Sequence, residues 1–242
     1  MKKLIKKLIK KLGYEIQKIS IYQDEAHHLM VCIKELGIDF IIDAGTNRGQ
    51  FSKTLFDANY KGEILSIEPL SAAWEELNHK TQNNAKWTIF PKSALGEKSG
   101  KAIINISKNL DSSSILPMAG EHLRAAPWSK YIGKEECEVH ALDDIFNKFN
   151  TRIDQKILLK IDCQGFEYKI LKGATASLQK VDAVLTEVSL KELYSGQKLW
   201  MDIIDLLTSQ GFSIYSVIKG FTNPKTGETL QLDIIFRKTT AL

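Results

Sequence analysis

Phe40-Ile41-Ile42-Asp43-Ala44-Gly45-Thr46-Asn47-Arg48-Gly49-Gln50-Phe51 is the stretch whose reading decides the fold. An apolar run ends in a carboxylate, and two glycines follow four residues apart. This is the pattern of a buried strand turning sharply into a helix, with bare backbone at the turn where a ligand can come close. A second apolar run, Ile64-Leu65-Ser66-Ile67, ends in Glu68. Two adjacent parallel strands, a glycine turn after the first and an acid at the tip of the second make a nucleoside site, the acid accepting hydrogen bonds from ribose hydroxyls. The plainer reading is a tight strand–helix turn with an aspartate cap. Glu68, standing where a ribose binder belongs, speaks against it.

The glycine spacing bears on which nucleoside. The dinucleotide fingerprint needs three glycines around the helix start that holds the pyrophosphate. Here there are two, and Asp43 precedes the first by two residues. A carboxylate there would repel a pyrophosphate and attract a cationic amino-acid ligand. The pattern D-x-G-x-N-x-G-x-F therefore favours S-adenosylmethionine, which carries a sulfonium and an ammonium.

Outward from this stretch, strands and helices alternate. Residues 24–36 read as a helix, 39–43 as the first strand, 50–59 as its helix and 64–68 as the second strand. Ser71 reads as the cap of a helix to about 83, and 86–90 as a third strand. Residues 101–107 and 137–142 read as further strands, with an irregular segment at 108–134 between them that holds Trp128 and Tyr131 and is long enough to be a substrate loop. The run Lys156-Ile157-Leu158-Leu159-Lys160-Ile161-Asp162 reads as a buried strand, followed by a helix over 166–178, a strand over 181–188 and a helix over 200–210. Two final strands, 212–218 and 232–237, are joined by a turn without a helix. The expected fold is an α/β Rossmann-like sheet, mostly parallel with an antiparallel terminal strand and helices on both faces. Ligands of such sheets bind beyond the strands' carboxyl ends, where Asp43, Glu68, Asp162 and Glu187 all fall.

Composition sets bounds. A 242-residue chain with 43% hydrophobic residues supports one large core. No apolar run reaches the roughly 18 residues of a membrane span, and the expected location is the cytoplasm, without a secretory leader. Cys32, Cys137 and Cys163 offer no disulfide or zinc spacing. The net charge of +4 is concentrated: residues 1–20 hold seven lysines and one glutamate, which leaves the remainder at −2 and argues against a nucleic-acid surface. In that segment Leu4, Ile5, Leu8, Ile9, Leu12, Ile16 and Ile19 fall on one helical face, and Lys2, Lys3, Lys6, Lys7, Lys10 and Lys11 on the other. Such a helix suits the inner face of an anionic membrane, or else packs on its own domain with its lysines in water. The chain divides into an N-terminal helical segment, 1–37, and a catalytic domain, 38–242.

Leu158-Leu159-Lys160-Ile161-Asp162-Cys163-Gln164-Gly165-Phe166-Glu167, taken with residues 42–51 and Ile170-Leu171-Lys172-Gly173-Ala174, resembles the FkbM family of S-adenosylmethionine-dependent methyltransferases. Residues 112–118 and 142–145 share the likeness, which runs from about 38 to 237. The resemblance implies a class I methyltransferase fold and O-methylation of saccharides or natural products. It implies that Asp43, Gly45, Asn47 and Gly49 line the methionine end of the cofactor, with Ala44 and Phe51 beside them. Glu68 would hold the ribose, Ser93 and Ala94 would border the adenine, and Asp162 would face the methyl.

A hydroxyl acceptor must also lose its proton, and the candidates for that base are Asp162, Glu187 and His122; His140 reads as structural. Asp162, Glu187 and a third oxygen could hold Mg²⁺, though no spacing requires a metal. The alternatives are an NAD-dependent oxidoreductase on a similar sheet and a non-catalytic nucleoside-binding module. Acceptor, methylated position, O- against N- or C-methylation and oligomeric state stay open.

Overall fold

The computed structural model describes residues 2–14, 24–149 and 154–239. A basic helix, α1 (Lys2–Lys11), and α2 (Glu25–Glu35) precede the sheet. Asp24 caps α2 by accepting a hydrogen bond from the His27 amide. Then β1 (Phe40–Ala44), α3 (Gln50–Asp57), β2 (Glu63–Ile67), α4 (Ser71–Thr81) and β3 (Trp87–Ile89) alternate as expected. A second group follows: β4 (Ala94–Gly96), β5 (Gly100–Ser107), α5 (Gly120–Ala125), β6 (Tyr131–Ala141) and α6 (Leu142–Ile145). The chain returns to the main sheet through β7 (Ile157–Ile161), α7 (Glu167–Lys172), β8 (Ala183–Ser189), α8 (Trp200–Ser209), β9 (Phe212–Lys219) and β10 (Gln231–Lys238).

The main sheet has the order β3-β2-β1-β7-β8-β10-β9. Its first five strands run parallel, and β10 is inserted antiparallel between β8 and β9. All residues of β1 and β7 are buried, as parallel strands covered on both faces must be. The period of two sorts their side chains between two layers. Ile41, Leu158 and Leu185 meet Leu29 and Ile33 of α2 and Leu55 of α3. Ile42, Leu159 and Phe236 meet α6, α7 and α8 on the opposite face. The reversal of order between β1 and β7 leaves the crevice outside their carboxyl ends in which such sheets bind ligands.

Four expectations needed correction. Residues 108–134 are not irregular throughout: they hold α5, a 3-10 turn at Pro127–Ser129 and the start of β6. Paired with β5 and β4, β6 builds a three-stranded second sheet over the α4 side, a non-local pairing that no local period announces. The helix after Asp162 ends at Lys172, with Gly173 as its C-cap, packed so closely that an added Cβ would meet the Gly96 carbonyl oxygen at 2.1 Å. Ser71 does not cap α4; Leu70 holds that position, and the Ser71 hydroxyl bonds Glu135 and Lys92 instead. His122 lies in α5 and is buried, against the expectation of a histidine in an open loop. Ile16 and Ile19 of the N-terminal pattern lie outside the described residues.

Truncating Phe236, fully buried where β10 crosses the main layer, removes a ring that the sheet cannot collapse to replace. Phe236→Ala is expected to cost about 3–5 kcal/mol in urea denaturation, whereas Ile214→Ala, 48% exposed on β9, should stay within about 0.5 kcal/mol.

Candidate active site

Asp43 and Lys160 are direct register partners on β1 and β7, and their side chains point into the same layer. The Lys160 ammonium stands 3.0 Å from Asp43 Oδ1 and 3.7 Å from Asp162 Oδ2, and donates to the Gly45 carbonyl at 3.3 Å. Burial works against its charge, but Asp43 and Asp162 outweigh it and hold the ammonium above the ordinary lysine value. The other Asp43 oxygen accepts from Thr46 Oγ1 at 2.6 Å and Ser52 Oγ at 2.9 Å. With no exposed surface and three partners of its own chain, Asp43 does not line the cleft described below. Lys160 is the cation that it meets within the chain.

This anchored turn shapes the floor of a cleft. Gly45 has φ +73°, and a Cβ there would lie 1.9 Å from the Asp162 carbonyl oxygen. Only glycine lets β1 and β7 close so tightly at this point. Asn47, at φ +49°, turns its amide onto Glu68 Oε2 at 2.7 Å, and the Leu70 amide donates to Oε1 at 2.9 Å. Glu68 is buried, and burial lifts its carboxyl to about 7 despite the two amide donors. Gly49 serves packing: an added Cβ would strike Trp87 and Leu77.

The cleft spans roughly 560 Å³ counted to its open mouth, with Gly45, Asn47, Glu68, Ala94 and Asp162 on its inner side. Residues 110–115 form the outer wall. Asp111 Oδ1 accepts from Asn47 Nδ2 at 2.6 Å, and Ser114 Oγ donates to the Gln164 carbonyl at 2.7 Å. The wall is thus pinned to both turns that follow β1 and β7.

A second cavity, about 830 Å³ counted in the same way, lies between the sheet and helices α2 and α3. Lys160, Asp162, Glu187 and Asp233 line its polar end, and Leu29, Phe51 and Ile218 its apolar end. Asp162 lines both cavities. Its Oδ1 accepts from Gln164 Nε2 at 2.8 Å, and the same amide nitrogen reaches Glu187 Oε2 at 3.3 Å. The Tyr194 hydroxyl donates to Gln164 Oε1 at 2.6 Å and so fixes which end of the amide faces the acids. Burial and the Asp162 charge push Glu187 well above the usual carboxylate range, and Asp233, its register partner, up to about 6. Burial likewise raises Glu167 to about 7; its Oε1 accepts from the Cys163 and Gly165 amides and holds the turn between β7 and α7.

Of the residues expected at the cofactor, Gly45, Asn47, Glu68, Ala94 and Asp162 come together in the cleft. Phe51 lies on the second cavity, with the Lys160 ammonium 5.3 Å from its ring centre. Asp43, Ala44, Gly49 and Ser93 line neither cavity. Of the candidate bases, Asp162 and Glu187 are neighbours, whereas His122 lies away from both, 5.2 Å from the Tyr194 ring and 5.7 Å from that of Phe221. Burial lowers His122 to about 4, so its ring stays neutral. Among the described residues, no three His, Cys, Asp or Glu side chains are grouped to hold a metal ion. Lys160, Gln164, Tyr194 and Asp111 were missed as site residues. The alternation of β7 could have flagged Lys160, an ammonium in a run otherwise buried; the other three are joined only by tertiary contacts.

A crevice at the carboxyl ends of parallel strands, a glycine turn on its floor and a carboxylate at the tip of the second strand define a nucleoside-binding α/β domain of class I methyltransferase type. The Methyltransferase FkbM domain model matches residues 43–214, and the chain belongs to that family. It is similar to the 2-O-methyltransferase NoeI of Sinorhizobium fredii, 25% identical over 191 residues that cover 76% of this chain and 77% of that protein. Among solved structures it resembles the magnesium protoporphyrin IX methyltransferase of Synechocystis PCC 6803 with bound SAM (TM-score 0.47, 12% identity, 98% of this chain and 97% of that one). It also resembles the methyltransferase domain of bacterial CtHen1 (TM-score 0.49, 8% identity, 90% of this chain and all of that one).

Removing the ammonium while leaving Asp43 buried strands a charge. Lys160→Met is expected to lower stability by about 3–5 kcal/mol in urea unfolding. The double variant Asp43→Asn/Lys160→Met should recover a large part of that loss, since it removes both charges.

Proposed function

We propose that this chain binds S-adenosylmethionine in the cleft between Gly45, Glu68 and Ala94 and methylates a hydroxyl of a saccharide, or of a related natural product, held in the second cavity. The single observation that carries this reading is the position of Asp162, which lines both cavities. Carboxylates on the polar end of the second cavity accept hydrogen bonds from sugar hydroxyls, and Phe51, Leu29 and Ile218 suit the C–H face of a ring. The name of the relative, a 2-O-methyltransferase, supports oxygen as the acceptor atom.

The cofactor supplies an electrophilic methyl on a sulfonium. Glu68 accepts the ribose hydroxyls, Gly45 lets the ligand reach the main chain, and residues 110–115 exclude water from the cleft. Asp162 takes the proton of the acceptor hydroxyl as the new C–O bond forms and the S–CH₃ bond breaks. Gln164, oriented by Tyr194, holds the Asp162 carboxylate in place. Glu187, whose carboxyl burial and the Asp162 charge push well above the usual range, faces the acceptor as a further hydrogen-bonding group. An oxidoreductase would need a pyrophosphate where the turn has no third glycine, so calorimetry is expected to record S-adenosylmethionine binding and no NAD binding; the reverse would overturn the proposal.

General-base assistance is worth about 10²–10⁴-fold. Asp162→Asn should therefore lower kcat by at least about 10²-fold with little change in cofactor affinity, whereas Lys108→Ala should keep near-full turnover. Methyl transfer to a panel of saccharides, followed by mass spectrometry, reads both; near-full activity of Asp162→Asn removes that carboxylate from the mechanism.

Glu68 generates a pH dependence. A carboxyl raised on folding from 4.5 to about 7 stabilises the native state while protonated, and that contribution is lost as pH rises through about 7. Ionised Glu68 is the better acceptor for ribose hydroxyls. Cofactor affinity measured by calorimetry should thus rise between about pH 6 and 8, and Glu68→Gln should flatten that rise and weaken binding.

A further inference from the structure

Helix α1 carries a surface that the proposed chemistry does not use. It runs from Lys2 to Lys11, and Gly13, at φ +82°, closes its end by donating to the Lys10 carbonyl. Ile5, Leu12 and Tyr14 are 48%, 70% and 72% exposed, which is unusual for large apolar groups of one short segment. At about 100° per residue, Ile5, Ile9 and Leu12 share one side of the helix, and Lys7, Lys10 and Lys11 are ranged on the other. The three lysines are exposed, and two of them sit at the helix's negative end, which favours a cation. The chain beyond residue 20 has a net charge of −2, so attraction to an anionic surface is concentrated here.

We infer that α1 lies flat on an anionic lipid bilayer and brings the enzyme to it. The apolar side enters the boundary between headgroups and acyl chains, while the ammonium groups meet lipid phosphates. A nucleic acid would use the lysines but leave the apolar stripe in water. Ten residues span too short a distance to cross a bilayer, so the helix rests on the surface. The inference is independent of the acceptor and of the methyl donor, since binding to lipid is read without either.

The test is co-sedimentation of the full chain with phosphatidylcholine vesicles containing about one-quarter phosphatidylglycerol, against phosphatidylcholine alone. Binding should be at least about tenfold stronger to the anionic vesicles, and salt near 0.5 M should weaken it. Two full-length variants separate the components. Ile5→Ser/Leu12→Ser keeps every lysine, and Lys7→Gln/Lys10→Gln/Lys11→Gln keeps the apolar side. Each should lose at least about tenfold in binding, with thermal unfolding of the catalytic domain unchanged. Equal binding to both vesicles, or full binding by the Ile5→Ser/Leu12→Ser variant, overturns the inference.

Discussion

The ion pair between Lys160 and Asp43 is the constraint on which the rest of the site depends. Both charges lie inside a parallel sheet, on strands that touch, where neither could stand alone without a cost of several kcal/mol. Together their charges compensate each other, and the pair also fixes the turn. Asp43 takes the hydroxyls of Thr46, within the glycine turn, and Ser52, in the helix after it, while Lys160 takes the Gly45 carbonyl. The turn so held presses Gly45 against the main chain of Asp162 and aims the Asn47 amide at Glu68. One buried pair therefore sets the spacing among three strand tips and the shape of the cleft between them.

The second feature is a crowd of acids around few donors. Asp162, Glu187, Asp233 and Glu167 converge where β7, β8 and β10 meet, and Lys160 is the cation among them. Desolvation and mutual repulsion hold Glu187, Glu167 and Asp233 above the usual carboxylate range. Gln164 suits this position because its amide nitrogen offers one hydrogen to each of two carboxylates, and Tyr194 engages its oxygen. The Gln164 backbone at φ +52° and the close packing of Gly165 on Tyr194 show how strictly the turn is built. His122, neutral and apolar in effect, packs behind Tyr194 and backs that arrangement.

The outer wall of the cleft comes from the second sheet. Residues 110–115 leave β5, cross the mouth and tie themselves to Asn47 and Gln164. The N-terminal helix, by contrast, leaves Ile5 and Leu12 exposed on its apolar side.

Local pattern was enough for the main sheet. A run such as 40–45 is apolar on both alternations except at Asp43 and ends at a glycine, the pattern of a strand buried on both faces followed by a turn. Glu68 could be placed at the tip of the second strand for the same local reason, and the antiparallel terminal strand followed from a connection that reads as a turn and holds no helix. What the amino-acid order could not decide is where a polar side chain is spent. Asp43 reads as a ligand in one dimension, and only the register of β1 on β7 reveals that Lys160 consumes its charge. His122 reads as a loop base, and only packing against Tyr194 and Phe221 buries it. The second sheet, the Gln164–Tyr194 contact and the meeting of Asp162 with two cavities rest on partners far apart in the chain. Periodicity reports how a segment folds on itself; which distant segment arrives beside it is set by the packing of the whole domain.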